Sequence, residues 1–355
     1  MSRSPERSPR RVERGAKTHT RNDSSHLPDY PEPTHLPASV LNQLFNRRLL
    51  VLLGKGGVGK TAISAAIALA ASRAGLRVLA VECDERGPLA SIFGRPPSYD
   101  PIEVEPRLAL MLLEGAHALE EYLRMVVPGR AVLGAVFSSR LYQYFVQAAP
   151  GLRELMMLGK LYYEIQRKPA DHNRWDLIVL DAPASGQALS LLNMPAVARK
   201  TFGESVVGRE ASNINRMLRD PQVCALIQVT TAEAMALSET LETYDALKKS
   251  DLGVSAVILS RYRSNLFAKA DVNRLIKRAG QNKKLKHLNY IQGLAHEELQ
   301  RASAAREALA LLHKRISAPI IELPDYRGLF GIELVGKLAV DLAIAPGAEA
   351  AAAKG

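Results

Sequence analysis

This sequence predicts an α/β fold in which a mostly parallel sheet is flanked by helices and carries a small helical subdomain. Apolar runs of strand length alternate with stretches of helical periodicity, the order that a parallel sheet with crossover helices requires. The segment Gly54-Lys55-Gly56-Gly57-Val58-Gly59-Lys60-Thr61 stands between the apolar run Leu49 to Leu53 and the Ala/Ile/Leu stretch Ala62 to Ala71, where a first strand passes into a helix. Two further strand-like runs end at Asp84 and Asp181, at the carboxyl ends where such sheets take ligands. The architecture expected from these observations is that of a P-loop NTPase.

Taken in order, residues 1–46 are expected to form a disordered basic extension. The stretch from Met1 to about Pro37 is rich in Arg, Ser, Pro and Glu and has almost no apolar residue to bury. The P-loop domain is expected over 47–344. After the loop helix, Arg77 to Glu82 reads as a buried strand that ends in Cys83-Asp84, and Leu108 to Leu113 as a third strand. A helical insertion follows at about 115–168, where helical periodicity from about Ala116 to Arg167 is broken by Pro128-Gly129 and Pro150-Gly151. Trp175 to Asp181 is the next strand, polar only at its ends. Strands recur at Ala225 to Val229, Val254 to Leu259 and Pro319 to Ile321, with helical segments between them. The stretch 345–355 reads as an Ala-rich flexible tail.

At 355 residues and 47% apolar composition, the chain can bury one large core or two modest ones. Cys83 and Cys224 lie far apart and form no CxxC pair, so neither a disulfide framework nor a cysteine-rich metal site is indicated. A cytoplasmic location, with peripheral membrane attachment left open, is expected. No apolar run approaches the roughly 18 residues needed to cross a bilayer, and the N-terminus has no apolar core of the secretory kind. Much of the net charge of +11 comes from a basic stretch between Arg261 and Arg315 that includes Lys283, Lys284 and Lys286. No aromatic residues interleave those lysines, which argues against direct nucleic-acid binding.

The loop carries its own chemistry. Its glycines let backbone N–H groups curl around phosphate oxygens, and the following helix start adds partial positive charge. Lys60 is expected to reach the β- and γ-phosphates and the Thr61 hydroxyl to ligate Mg²⁺. Such loops need only one lysine, so Lys55 calls for a separate task. Reaching across a dimer interface to phosphates held by the other subunit is the task we assign it, which predicts nucleotide between two subunits. Asp181 stands where a nucleoside triphosphatase keeps a carboxylate for Mg²⁺, usually through water. Asp84, followed by Glu-Arg-Gly-Pro, is placed to orient or deprotonate an attacking water; its other reading is an N-cap for Pro88 to Phe93.

The segments around these residues resemble the anion-transporting ATPase family, which includes the arsenite-pump ATPase subunit and the ATPase that targets tail-anchored membrane proteins. The resemblance runs from Leu49 to Leu342. It is carried by GKGGVGKT, VECDERGPLASIFG, APGLREL, WDLIVLDAPASGQALSLLNMP, VTTAEAMALSETLETYDAL and VSAVILSRY. A short bacterial subgroup with a single loop is most similar. The resemblance implies an ATP-hydrolysing, Mg²⁺-dependent dimer, with itself or with a paralogue, whose loop is of the signature-lysine (deviant Walker A) type. Nucleotide contacts then fall on Gly54, Lys55, Gly56, Gly57, Val58, Gly59, Lys60, Thr61 and Ala62, and catalysis on Lys55, Lys60 and Asp84. Glu233 matches a glutamate that contacts nucleotide from the neighbouring subunit. Ser260 falls where the family usually has an asparagine that reads adenine, and Gln187 where many relatives have histidine, so base selectivity and the link from hydrolysis to movement are open.

The family's cargoes fit less well. Arsenite needs clustered thiolates, which two distant cysteines do not supply. The zinc-bridged members need a CxxC, and no metal beyond Mg²⁺ is expected. The interval from Met194 to Val223, with Arg199, Lys200, Arg209, Arg216 and Arg219, is too short and too charged to hold a transmembrane client. The apolar stretch Ala131 to Leu161 is read first as core or dimer contact and second as a client surface. The expected protein is a dimeric switch ATPase for an unidentified client or membrane partner. The alternative is a partition or septum-site type of ATPase that binds DNA or a membrane surface.

Overall fold

The computed structural model describes residues 43–126, 151–167, 175–263, 274, 277 and 288–343. Its first strand, β1 (Leu49–Leu53), is buried along its whole length. Leu50 and Leu52 enter one core, Leu49, Val51 and Leu53 the other, so a strand covered on both faces reads as an unbroken apolar run. The chain continues through α1 (Lys60–Arg73), β2 (Val78–Glu82), the short α2 (Pro88–Ile92), β3 (Ile102–Glu105), β4 (Leu108–Leu112) and α3 (Gly115–Val126). Then come α4 (Leu152–Gln166), β5 (Leu177–Asp181), α5 (Ser185–Phe202), α6 (Val206–Arg219), β6 (Cys224–Thr230) and α7 (Ala234–Lys249). The last elements are β7 (Val254–Tyr262), α8 (Leu288–Arg315), β8 (Ile320–Pro324) and α9 (Gly331–Asp341).

The strands form one eight-stranded sheet in the order β3-β4-β2-β5-β1-β6-β7-β8. Every neighbouring pair is parallel except β3 with β4. This is the expected α/β architecture, and all seven anticipated strands are present. The eighth, β3, was missed. Its Ile-Glu-Val-Glu pattern is only half-buried, because it lies on the antiparallel edge and turns its glutamates to solvent.

One core packs α1 and α9 on one face of the sheet, through residues such as Ile63, Ile67, Val335 and Leu338. The opposite face is covered by α4, α5 and α6, through Leu155, Leu158, Leu161, Leu191 and Ile214. A smaller cluster seats α8 on β7 through Leu312 and Ile316. The described part of the apolar stretch Ala131 to Leu161 is therefore core on the α4 side, and its residues 131–150 lie outside the described residues. So do residues 1–42, Lys283, Lys284, Lys286 and the Ala-rich tail. No helix among the described residues is long and apolar enough to cross a membrane.

Candidate functional site

β1 delivers the chain into the phosphate-binding loop at the carboxyl edge of the sheet, between β5 and β6. Gly54 is required there, because a Cβ would run into the carbonyl oxygen of Val229 on β6. Gly59, with φ +90, turns the chain into α1 in a conformation that L side chains rarely adopt. The loop and the start of α1 thus border one cavity at this edge of the sheet.

Four side chains meet beside it. Lys60 Nζ lies 2.7 Å from Asp181 Oδ1 and also donates to the Ala182 carbonyl. The Thr61 hydroxyl donates to Asp181 Oδ2 at 2.6 Å, and the Ser64 hydroxyl lies 3.1 Å from Asp181 Oδ1. Asp181 is 5% exposed, and these donors satisfy a carboxylate whose burial would otherwise be costly. Ser64 escaped the reading of the sequence. Its signal was a hydroxyl in an otherwise Ala/Ile-rich helix, three residues after Thr61 and four after Lys60, hence on their face. A carboxylate beside a hydroxyl is the hard oxygen donor set that Mg²⁺ prefers.

Asp84 lies in the loop between β2 and α2 and is held by Arg86, whose Nη2 lies 2.6 Å and Nε 2.9 Å from its two oxygens, while the Arg86 backbone N–H donates at 3.0 Å. That pairing keeps the Asp84 carboxyl below its ordinary range. Asp84 does not cap α2. Glu82, two residues earlier at the end of β2, does so from inside the protein: its carboxylate accepts from Leu89 N at 2.7 Å and Ala90 N at 3.2 Å. Burial pushes the Glu82 carboxyl up despite those bonds. Burial also pushes the thiols of Cys83 and Cys224 up to about 12, Cys83 being half-buried at the cavity and Cys224 in the core. Among the described residues no group of three His, Cys, Asp or Glu is arranged to hold a metal ion.

Loop, Asp181 and Asp84 border one open cavity of about 840 Å³. Lys55, Lys60 and Thr61 line it from the loop, Asp84 and Arg86 from the β2 end, and Gln187 from the start of α5. Lys55 is half-buried and has no hydrogen-bond or ion-pair partner among the described residues. Glu233 is exposed at the N-cap of α7 and does not border the cavity. Ser260 is only 7% exposed and sits behind the loop, 3.4 Å from where a Cβ on Gly59 would stand. The next residue, Arg261, reaches the cavity instead, and its Nη2 donates to the Gly57 carbonyl at 3.0 Å.

Residues 47–212 match the family model described as anion-transporting ATPase. The ATPase BagA of Mycobacterium tuberculosis is 29% identical over 314 residues, covering 80% of this chain and 88% of BagA. An uncharacterised protein of Streptomyces coelicolor is 31% identical over 156 residues, covering 44% of this chain and 39% of its own. The ATPase asna-1 of Caenorhabditis elegans is 24% identical over 284 residues, covering 67% of this chain and 81% of its own. The family match takes in the loop, Asp84 and Asp181 at one edge of a parallel sheet, and over residues 47–212 this chain is similar to the anion-transporting ATPases.

Proposed function

We propose that the chain is a switch that dimerises around ATP, hydrolyses it, and passes the resulting change of shape to a client or membrane partner. The observation that carries this is Lys55: a cavity-lining cation on the phosphate loop with no partner of its own among the described residues. Among the described residues no carboxylate pairs with it, whereas the same cavity in a facing subunit would offer it phosphate.

Within one subunit the division of work follows from geometry. The loop N–H groups hold the phosphate oxygens, and Lys60, now resting on Asp181, is within reach of the terminal phosphates. Thr61 and Asp181 would hold Mg²⁺, which supplies neutralisation of charge on the phosphate oxygens when bound. Asp84, ionised through its pairing with Arg86, is a weak base and a good acceptor, so its task is to orient the attacking water by taking a hydrogen bond from it.

Two variants test the reading. Asp84→Asn should still bind ATP but lose about a hundredfold in turnover, and turnover within about twofold of wild type would remove Asp84 from the reaction. Lys55→Ala should bind ATP as a monomer and lose on the order of a thousandfold in turnover. Sedimentation with a non-hydrolysable ATP analogue measures the assembly, and dimerisation unchanged by Lys55→Ala would overturn the cross-subunit role. Capturing partners on ATP-loaded Asp84→Asn is the route to the client.

A further inference from the structure

We infer that Arg261 holds the nucleotide base, by laying its flat guanidinium against the ring rather than by reading the ring's edge. The inference rests on the cavity being the nucleotide site proposed above.

The sheet order decides which end of the cavity takes the base. Asp181 ends β5 and Asp84 follows β2, both on one side of β1, so the terminal phosphate and its attacking water belong on that side. Ribose and base must then leave across the loop toward β6 and β7. Among the described residues, Arg261 is the one residue that borders the cavity from that side.

Its backbone is built for the placement. Arg261 has φ +54, a left-handed conformation uncommon outside glycine and characteristic of sites whose surroundings hold the strain. Between Leu259 and Tyr262 the pairing of β7 with β8 slips, because three steps along β7 match two along β8, from Glu322 to Pro324. Such a bulge re-aims a side chain. The strand end is pinned on its far side: Arg263 pairs with Glu298 at 2.8 Å and Asp325 at 2.5 Å, and Asp325 N donates to Tyr262 O at 3.2 Å. The consequence is that Ser260 turns inward behind Gly59 while Arg261 turns out over the loop.

Ser260 does not border the cavity, and a hydroxyl carries its donor and acceptor on one atom rather than side by side as an amide does, so it separates adenine from guanine poorly. Arg261 uses one nitrogen on the Gly57 carbonyl, which ties the guanidinium to the loop, and the residue is otherwise exposed. A face-on cation favours any purine and does not distinguish their edges.

Calorimetric titration of the full chain with ATP, GTP and inorganic tripolyphosphate tests this. Arg261→Gly, which removes the side chain and relieves the left-handed strain, should weaken ATP and GTP about tenfold alike and leave tripolyphosphate within about twofold. Arg261→Lys, which keeps the charge and loses the plane, should behave as the glycine variant does. Wild type should bind ATP and GTP within about tenfold of each other. A parallel loss of tripolyphosphate would assign Arg261 to the phosphates or the loop and overturn the inference, as would full rescue by lysine, unchanged ATP binding, or a larger preference for ATP. Failure of wild type to bind either ATP or tripolyphosphate would instead sink the nucleotide site itself. Binding of tripolyphosphate also shows that each variant has folded its loop.

Discussion

Asp84 holds its charge through Arg86. The arginine side chain is 88% exposed, so the pair is worth little to stability, yet it keeps the carboxyl below its ordinary range. The consequence is kinetic. With the carboxyl titrating low, Asp84 stays ionised as pH falls, and the acid limb of the turnover profile lies correspondingly low. Arg86→Ala releases Asp84 toward its ordinary range, so a smaller fraction is ionised at any mildly acidic pH. The acid limb of kcat should therefore move to higher pH, with turnover near neutrality little changed. A limb that stays in place would mean that Asp84 is not the group titrating in the reaction.

At the scale of the element, α2 shows how a buried strand residue can fix a loop beside the cavity. The helix has five residues, starts at Pro88 after Gly87 and has no side-chain cap of its own, so Glu82 on β2 satisfies two of its first N–H groups. Leu89 and Ala90 are buried, and removing the carboxylate leaves their donors without water or protein. Glu82→Ala should cost about 1–3 kcal/mol in urea unfolding. The pH dependence adds a second check. Burial raises the Glu82 carboxyl in the folded state, so this group takes stability away as pH rises from the ordinary carboxylate range through its raised value. Relative to Glu82→Gln, wild type should lose stability over that rise, and parallel curves would show that Glu82 is not buried as an acid.

Across the whole molecule, the helical pair α3 and α4 is tied to the sheet by charges as well as by its apolar face. Lys160 is 9% exposed and pairs with Glu121 at 2.8 Å and Glu164 at 3.2 Å. Glu164, 1% exposed, also pairs with Arg167 at 2.8 Å and accepts from Trp175 Nε1 at 3.2 Å, just before β5. Arg48, at the start of β1, donates to the carbonyls of Ile165 and Trp175. The end of α4 is thus joined to the two strands that carry the phosphate loop and Asp181. Lys160→Ala would leave Glu164 buried with one cation fewer and should cost about 3 kcal/mol. A loss below about 1 kcal/mol would show the network to be screened by water.

Much of this arrangement was legible in the residues. β1, β2 and β5 are so apolar, and the loop so specific, that a mostly parallel sheet with Lys60, Thr61, Asp84 and Asp181 at its strand ends is legible from local pattern, whereas the order of the strands across the sheet is not. β3 did not, because a half-buried edge strand with alternate glutamates has no composition that separates it from loop. Ser64 did not, because its meaning depends on Asp181, over a hundred residues away in the chain. Glu82 looked like the last residue of a strand, and only packing against α2 makes it a cap. The chemistry expected of the phosphate loop is readable without the fold, since a strand, a glycine loop and a helix start are contiguous in the chain. Only the folded chain places Ser260 inward against Gly59 and Arg261 at the cavity's border, because a bulge against β8 and a clamp from Glu298 and Asp325 set that backbone, and neither partner is local.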